Sequence, residues 1–270
     1  METLFSTRKI GHATARNRFW AQPMEANDGS NGAPSDRTIR RYEETARGRW
    51  GVMCVESAAV TAGSVAARNG LALTNKTMPR FSELVNAVKT VDPEVVLLIQ
   101  LNHSGTKSIT DEERAFPPSD VLIRRTEDAF VEACERSIEC GFDGIDFKLC
   151  HGYFTAELLR PRNRRADGWG GSLENRTRFT HETFNRLRGI ATARNVVLGC
   201  RISLYEPFPG GMGTAGEHSM EEDLSETLAL AQHLDEAGAD FINVTAGDPP
   251  KTPELSIPDK AHAYMFESHR

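Results

Sequence analysis

Arg201 stands inside the apolar run around Cys200-Arg201-Ile202-Ser203, where a guanidinium cannot stay buried without an anion beside it. A buried carboxylate such as Glu56 would be its ordinary partner, and an anionic ligand is the other choice. Gln100, in Ile99-Gln100-Leu101-Asn102-His103, ends a second apolar run and would on its own cap loop carbonyls. Lys148 and His151 lie three residues apart at the end of a third run. Both can donate hydrogen bonds. Their plainer roles are a salt bridge from Lys148 to Asp146 or Glu56 and a structural histidine. Tyr153 would on its own satisfy a loop backbone. Pro23 and Met24 alone read as a strand end and a core filler.

These side chains need a scaffold that brings the ends of several apolar runs together. Six such runs are predicted as strands: Arg18 to Met24, Gly51 to Val60, Val95 to His103, Gly144 to His151, Val196 to Leu204 and Phe241 to Thr245. Each is followed by a loop and then by a stretch with helical spacing, which is the pattern of a parallel βα architecture. Glu139-Cys140-Gly141-Phe142-Asp143-Gly144-Ile145-Asp146-Phe147 matches Glu236-Ala237-Gly238-Ala239-Asp240-Phe241-Ile242-Asn243-Val244 position by position, and Arg47-Gly48-Arg49-Trp50-Gly51-Val52 is a looser third copy. In each, a glycine is expected to end a helix in the left-handed conformation before the chain enters a strand. A helix is predicted from Met220 to Ala237, with Leu224, Leu228, Ala231 and Leu234 on one face and Glu221, Glu222 and Asp223 in its first turn, where the helix dipole favours acids. Polar, Gly and Pro residues collect after the strands, at Glu25 to Ser35, His103 to Asp120 and Tyr205 to Glu217; in a (β/α)₈ barrel such loops build the active-site face.

The chain has 270 residues, 39% of them hydrophobic and 26% charged, with a net charge of -6. That balance fits a globular barrel and gives no electrostatic reason to expect nucleic acid as a partner, since Arg160, Arg162, Arg164 and Arg165 are read as salt bridging at a loop surface. No apolar segment approaches the roughly 20 residues that span a bilayer, and the first residues lack a signal pattern, so neither a membrane nor secretion is expected. Five cysteines without a CxxC pair are read as small hydrophobes in a reducing compartment, which predicts a cytoplasmic location.

His151-Gly152-Tyr153 runs on through Asn163, Arg165, Asp167 and Trp169 into Gly170-Gly171-Ser172-Leu173-Glu174-Asn175-Arg176-Thr177-Arg178-Phe179. This stretch resembles the signature that follows barrel strand four in the Old Yellow Enzyme family of FMN-dependent ene-reductases. The resemblance implies a TIM (β/α)₈-type barrel that holds FMN, takes hydride from NAD(P)H and reduces a small molecule with an activated alkene. Asn17-Arg18-Phe19-Trp20-Ala21-Gln22-Pro23-Met24 looks like the family's first strand, whose Pro-Met pair packs against the flavin. Ser57 and Gln100 fall where relatives contact the isoalloxazine, and Arg201 matches the cation near N1 and O2. His151 matches a residue that hydrogen-bonds the electron-withdrawing oxygen of the substrate. Its usual His or Asn companion is here Lys148, which can donate the same bond as a cation. Tyr153 is the third residue assigned to the catalytic mouth. Glu25 stands where relatives often carry Thr or Cys, and a carboxylate there would disfavour a reduced, anionic flavin unless neutralised.

The resemblance also implies an FMN phosphate site in the last two βα units, and only about six units are evident. One barrel domain over 1–270, C-terminally incomplete, is therefore expected, with the final residues Glu267-Ser268-His269-Arg270 in the helix after strand six. Two unpaired strand edges would follow, calling for a longer enzyme, a barrel-completing partner chain or homo-oligomer, or closure by the last residues. The alternatives to an ene-reductase are a flavin-dependent amine dehydrogenase or demethylase and a non-catalytic barrel subunit. No iron-sulfur cysteine cluster is present in the sequence.

Overall fold

The computed structural model describes residues 2–253. The helix expected at Glu267 to Arg270 lies outside them. Six parallel strands form one curled sheet in chain order: β1 (Trp20–Ala21), β2 (Val52–Ala59), β3 (Val96–Asn102), β4 (Gly144–Leu149), β5 (Val197–Tyr205) and β6 (Ile242–Ala246). A short strand at Leu71–Ala72 pairs with the end of β2. Each of the six falls within the run predicted for it or overshoots it by one residue, whereas no strand is predicted at Leu71–Ala72. β2 to β5 are largely apolar because a parallel strand in this architecture is covered on both faces.

Five helices pack outside the sheet: α1 (Asp36–Ala46), α2 (Met78–Val91), α3 (Asp120–Glu139), α4 (Leu173–Arg194) and α5 (Ser225–Glu236). Serines start three of them. Ser35, Ser119 and Ser172 each accept a hydrogen bond from the backbone N–H three residues on, satisfying a donor that the helix leaves unpaired. Ser172 belongs to the Gly-Gly-Ser stretch, so that part of the motif is a loop followed by a helix start. Gly141 and Gly238 end α3 and α5 at φ 94° and 91°, as their repeated sequence predicts. In the third copy the left-handed residue is Arg49, at φ 50°, and not Gly48.

The helix predicted from Met220 begins only at Ser225, so Glu221, Glu222 and Asp223 lie outside its first turn. Asp223 N–H instead donates to Gly213 O, and Thr214 and Glu222 form an antiparallel bridge that holds this acidic stretch in a loop. The buried face is accordingly Thr227, Leu230 and Leu234, while Leu228 is exposed.

The interior of the curl has two tiers, set by alternation along the strands. Below, Val52, Cys54, Val96, Leu98 and Val197 form an apolar plug, closed from underneath by Ile10 and Ala15 of a hairpin, Arg8–Ile10 with Ala13–Ala15. Above it, polar residues take over the interior-facing positions: Gln100 follows Leu98 at a spacing of two, Arg201 follows Val197 at four, and Asp146 and Lys148 share a face of β4. All five cysteines are buried and free.

No ladder joins β6 to β1 among the described residues. The two edges meet through side chains: Trp20 and Phe241 pack edge-on with ring centroids 4.7 Å apart, and Asn243 Nδ2 donates to Gln22 Oε1 at 2.5 Å.

Candidate functional site

Strand register builds the upper tier. Gln100 is opposite Asp146, and Lys148, two residues further along β4, is opposite Arg201, so three neighbouring strands deliver these side chains to the same face of the sheet. Gln100 Nε2 donates to Asp146 Oδ2 at 2.8 Å. Asp146 is fully buried, and its Oδ1 has no hydrogen-bond partner among the described residues. Burial pushes its pKa up to about 6, against the pull of Gln100, Arg201 and Lys148. Arg201 Nη2 lies 3.3 Å from Thr245 Oγ1, while its buried Nε has no hydrogen-bond partner among the described residues.

One level higher, Lys148 Nζ sits 2.8 Å from Glu25 Oε1 and 3.3 Å from Ser57 Oγ, and 4.0 Å from the centroid of the Tyr153 ring. Tyr153 OH donates to the same carboxylate at 3.2 Å and 3.3 Å. Burial opposes the charge on Lys148, yet Tyr153 and Glu25 outweigh it and raise the pKa to about 12. Burial would likewise raise Glu25, but the charge and hydrogen bond of Lys148 hold it below the usual carboxylate range. Tyr153 is pushed up to about 12, chiefly by burial, and remains a donor. The carboxylate that would have opposed an anionic ring is therefore neutralised where it stands.

His151 follows at φ 62° and Gly152 at φ 65°, two left-handed residues that turn the chain sharply out of β4. A Cβ on Gly152 would run into the Asp248 carboxylate and the Arg160 guanidinium, which explains the glycine of the motif. His151 Nε2 lies 3.1 Å from Thr245 Oγ1. Burial first, then the positive charges of Lys148, Arg201 and Lys107, drive its pKa down to about 2, so the imidazole is neutral. Pro23 is buried just beyond β1, whereas Met24 is exposed at 71%.

Several partners differ from those expected. Glu56 does not neutralise Arg201 or Lys148; it pairs with Arg41 at 2.5 Å and accepts from the Ala26 N–H at 3.0 Å. Lys148 pairs with neither Asp146 nor Glu56 but with Glu25, because the chain after β1 folds back over the mouth. Arg160 is no surface group: it is fully buried, contacting Glu157, Glu206 at 2.7 Å and Asp248 at 2.8 Å. Lys107, from the loop after β3, reaches Asp248 at 2.8 Å and also contacts the His151 carbonyl. Arg162 joins the buried Glu157 at 2.6 Å, while Arg164 pairs with the partly exposed Glu217 and Arg165 with the exposed Asp167. Asp146, Thr245, Lys107 and Asp248 were not among the expected site residues. For Asp146 a signal existed: Asp146 and Lys148 are two polar residues at a spacing of two in an otherwise apolar strand, which puts both on one face.

The match to known proteins follows this geometry. Residues 3–124 and 121–249 match the NADH:flavin oxidoreductase / NADH oxidase family. The chain belongs to that family. The NADH oxidase of Thermoanaerobacter brockii is 31% identical over 95% of this chain and 41% of its own length, and the NADPH dehydrogenase of Geobacillus sp. (strain WCH70) is 31% identical over 92% and 74%. The chain thus spans less than half of the first of these relatives. The 2-naphthoyl-CoA reductase structure superposes with a TM-score of 0.80 at 21% identity, covering 91% of this chain and 41% of that one, and shows a shared TIM-barrel-type fold. As a member of the flavin oxidoreductase family the chain is expected to hold a flavin, and its residues fit the ring end of one. Arg201 has an unspent buried N–H, Gln100 has an uncommitted carbonyl, and Lys148 and His151 stand on the level above.

Proposed function

We propose that this chain forms the catalytic barrel of an FMN-dependent NAD(P)H oxidoreductase that reduces activated C=C bonds of small molecules. Bound FMN would supply the redox chemistry, accepting hydride from NAD(P)H and passing it from N5 to the β-carbon of the alkene. The protein's share is electrostatic and positional. Arg201 would hold the pyrimidine edge, where negative charge collects on reduction, with Gln100 beside it and Pro23, Met24 and Ser57 along the ring. Lys148 and His151 would bind the substrate oxygen. Lys148 stays protonated through its contacts with Glu25 and Tyr153, so it can stabilise charge on that oxygen without first acquiring a proton. His151 acts as a neutral hydrogen-bonding group, and Tyr153 orients the Lys148–Glu25 pair.

The observation that supports this reading most is the unpaired Nε of Arg201. A buried guanidinium donor left without a partner is costly, and an anionic ring edge would satisfy it. The FMN phosphate would fall to βα units beyond the six described. The two half-reactions provide the test. His151→Ala is expected to slow alkene reduction by about 10²-fold or more, in the range of general acid–base or oxyanion contributions, while leaving flavin reduction by NAD(P)H within a few-fold of the parent. Equal loss in both half-reactions would remove His151 from the substrate site.

A further inference from the structure

The pairing of Gln100 with Asp146 decides more than stability. An ionised carboxylate only accepts hydrogen bonds, so the Gln100 carboxamide must turn its nitrogen toward Asp146 Oδ2, at 2.8 Å. Its carbonyl oxygen is thereby turned away from Asp146, and among the described residues no hydrogen bond ends on it. Reversing the amide would set two acceptors against each other inside a site where Gln100 and Asp146 are both buried. Cys54 Sγ, 3.9 Å from the same carboxylate oxygen, is too weak a donor to compete.

We propose that Asp146 is a positioning residue that fixes the polarity of the Gln100 amide, so that the site presents an acceptor and selects a ring offering an N–H at that point. This rests on the flavin reading and deepens it. An oxidised isoalloxazine has a single N–H, at N3, flanked by two carbonyls. A carboxamide free to turn either way would meet that edge with no fixed preference; one pinned by Asp146 meets N3–H with its oxygen. Asp146 is placed for this by register, directly opposite Gln100 on the neighbouring strand. It need not touch the ring itself.

The test is equilibrium binding of FMN and of FMN methylated at N3, followed by flavin fluorescence in the full chain and in Asp146→Asn. The parent should prefer FMN by about tenfold or more, the loss expected when a buried acceptor goes unpaired. In Asp146→Asn the neighbouring amide can offer either its oxygen or its nitrogen, so Gln100 is no longer pinned and the preference should narrow about fivefold or more. In a Gln100→Leu background the same Asp146→Asn change should leave the ratio where it was, since the effect runs through Gln100. A ratio unchanged by Asp146→Asn, with FMN still bound, would overturn the proposal and leave the flavin reading intact. An equal narrowing in the Gln100→Leu background would overturn it too. Binding of neither flavin by the parent would overturn the flavin reading, and the proposal with it.

Discussion

Glu25→Gln removes the anion that keeps Lys148 charged, and the structure sets the size of the effect. The Lys148 side chain is 4% exposed and its other contacts are Ser57 Oγ at 3.3 Å and the Tyr153 ring, 4.0 Å away at its centroid, so the ammonium would be left without its carboxylate in the interior. Breaking a buried pair from one side costs about 3–5 kcal/mol; the 29% exposure of the Glu25 side chain and the surviving Ser57 contact reduce this to about 2–3 kcal/mol. For a domain of this size, the entropy of unfolding converts that loss to a fall in Tm of roughly 4–6 °C. The pH dependence carries the mechanism. In the parent, Lys148 has its pKa raised to about 12 from an ordinary 10.5, so its contribution is present below 10.5 and is lost as pH rises through 12. Without Glu25, burial dominates and the pKa falls below the ordinary value. The variant's deficit should then be largest near neutrality and shrink as pH rises toward 10. Urea unfolding at pH 7 and pH 9.5 measures this. Lys148→Met in the same background should restore most of the loss, because no charge then remains to be compensated. A deficit independent of pH, or a double variant as unstable as the single one, would refute the reasoning.

Two further outcomes follow from the buried charges. Asp146→Asn should stabilise the protein above pH 6. Asp146 has its pKa raised from 3.8 to about 6, so its favourable contribution is present at low pH and lost as pH rises through 6. By linkage the gain is up to about 3 kcal/mol at pH 8 and vanishes near pH 4, as chemical unfolding at the two pH values would show. Arg160→Met leaves Glu157, Glu206 and Asp248 without their shared cation and should cost about 3–5 kcal/mol, measurable as a lowered denaturation midpoint at unchanged slope.

The strands, the barrel-type fold and the helix stops at Gly141 and Gly238 were legible because each rests on local pattern: a run of apolar residues, or a glycine that must take a left-handed conformation. The start of α5 was not. Glu221 to Leu224 has helical periodicity, but the bond from Asp223 to Gly213 and the bridge between Thr214 and Glu222 win over it. Gln100, Lys148 and Arg201 could be named from the sequence as polar groups on apolar strands, but their pairings could not. Lys148 meets Glu25 across 123 residues and Gln100 meets Asp146 across 46, and no local spacing encodes either. Arg160 looked like a surface group because its partners Glu206 and Asp248 lie 46 and 88 residues on and reach it only when β5 and β6 curl round.

The central claim is that a flavin lies on the upper tier with its pyrimidine edge on Arg201. The most direct measurement is anaerobic titration of the purified chain with FMN, followed by the shift of the flavin absorbance bands, in the parent and in Arg201→Leu. The account predicts saturable one-to-one binding by the parent and binding weakened about tenfold or more in the variant, the loss expected for a charge-assisted hydrogen bond in a buried site. Equal binding by both, or no saturable binding by the parent, would contradict it.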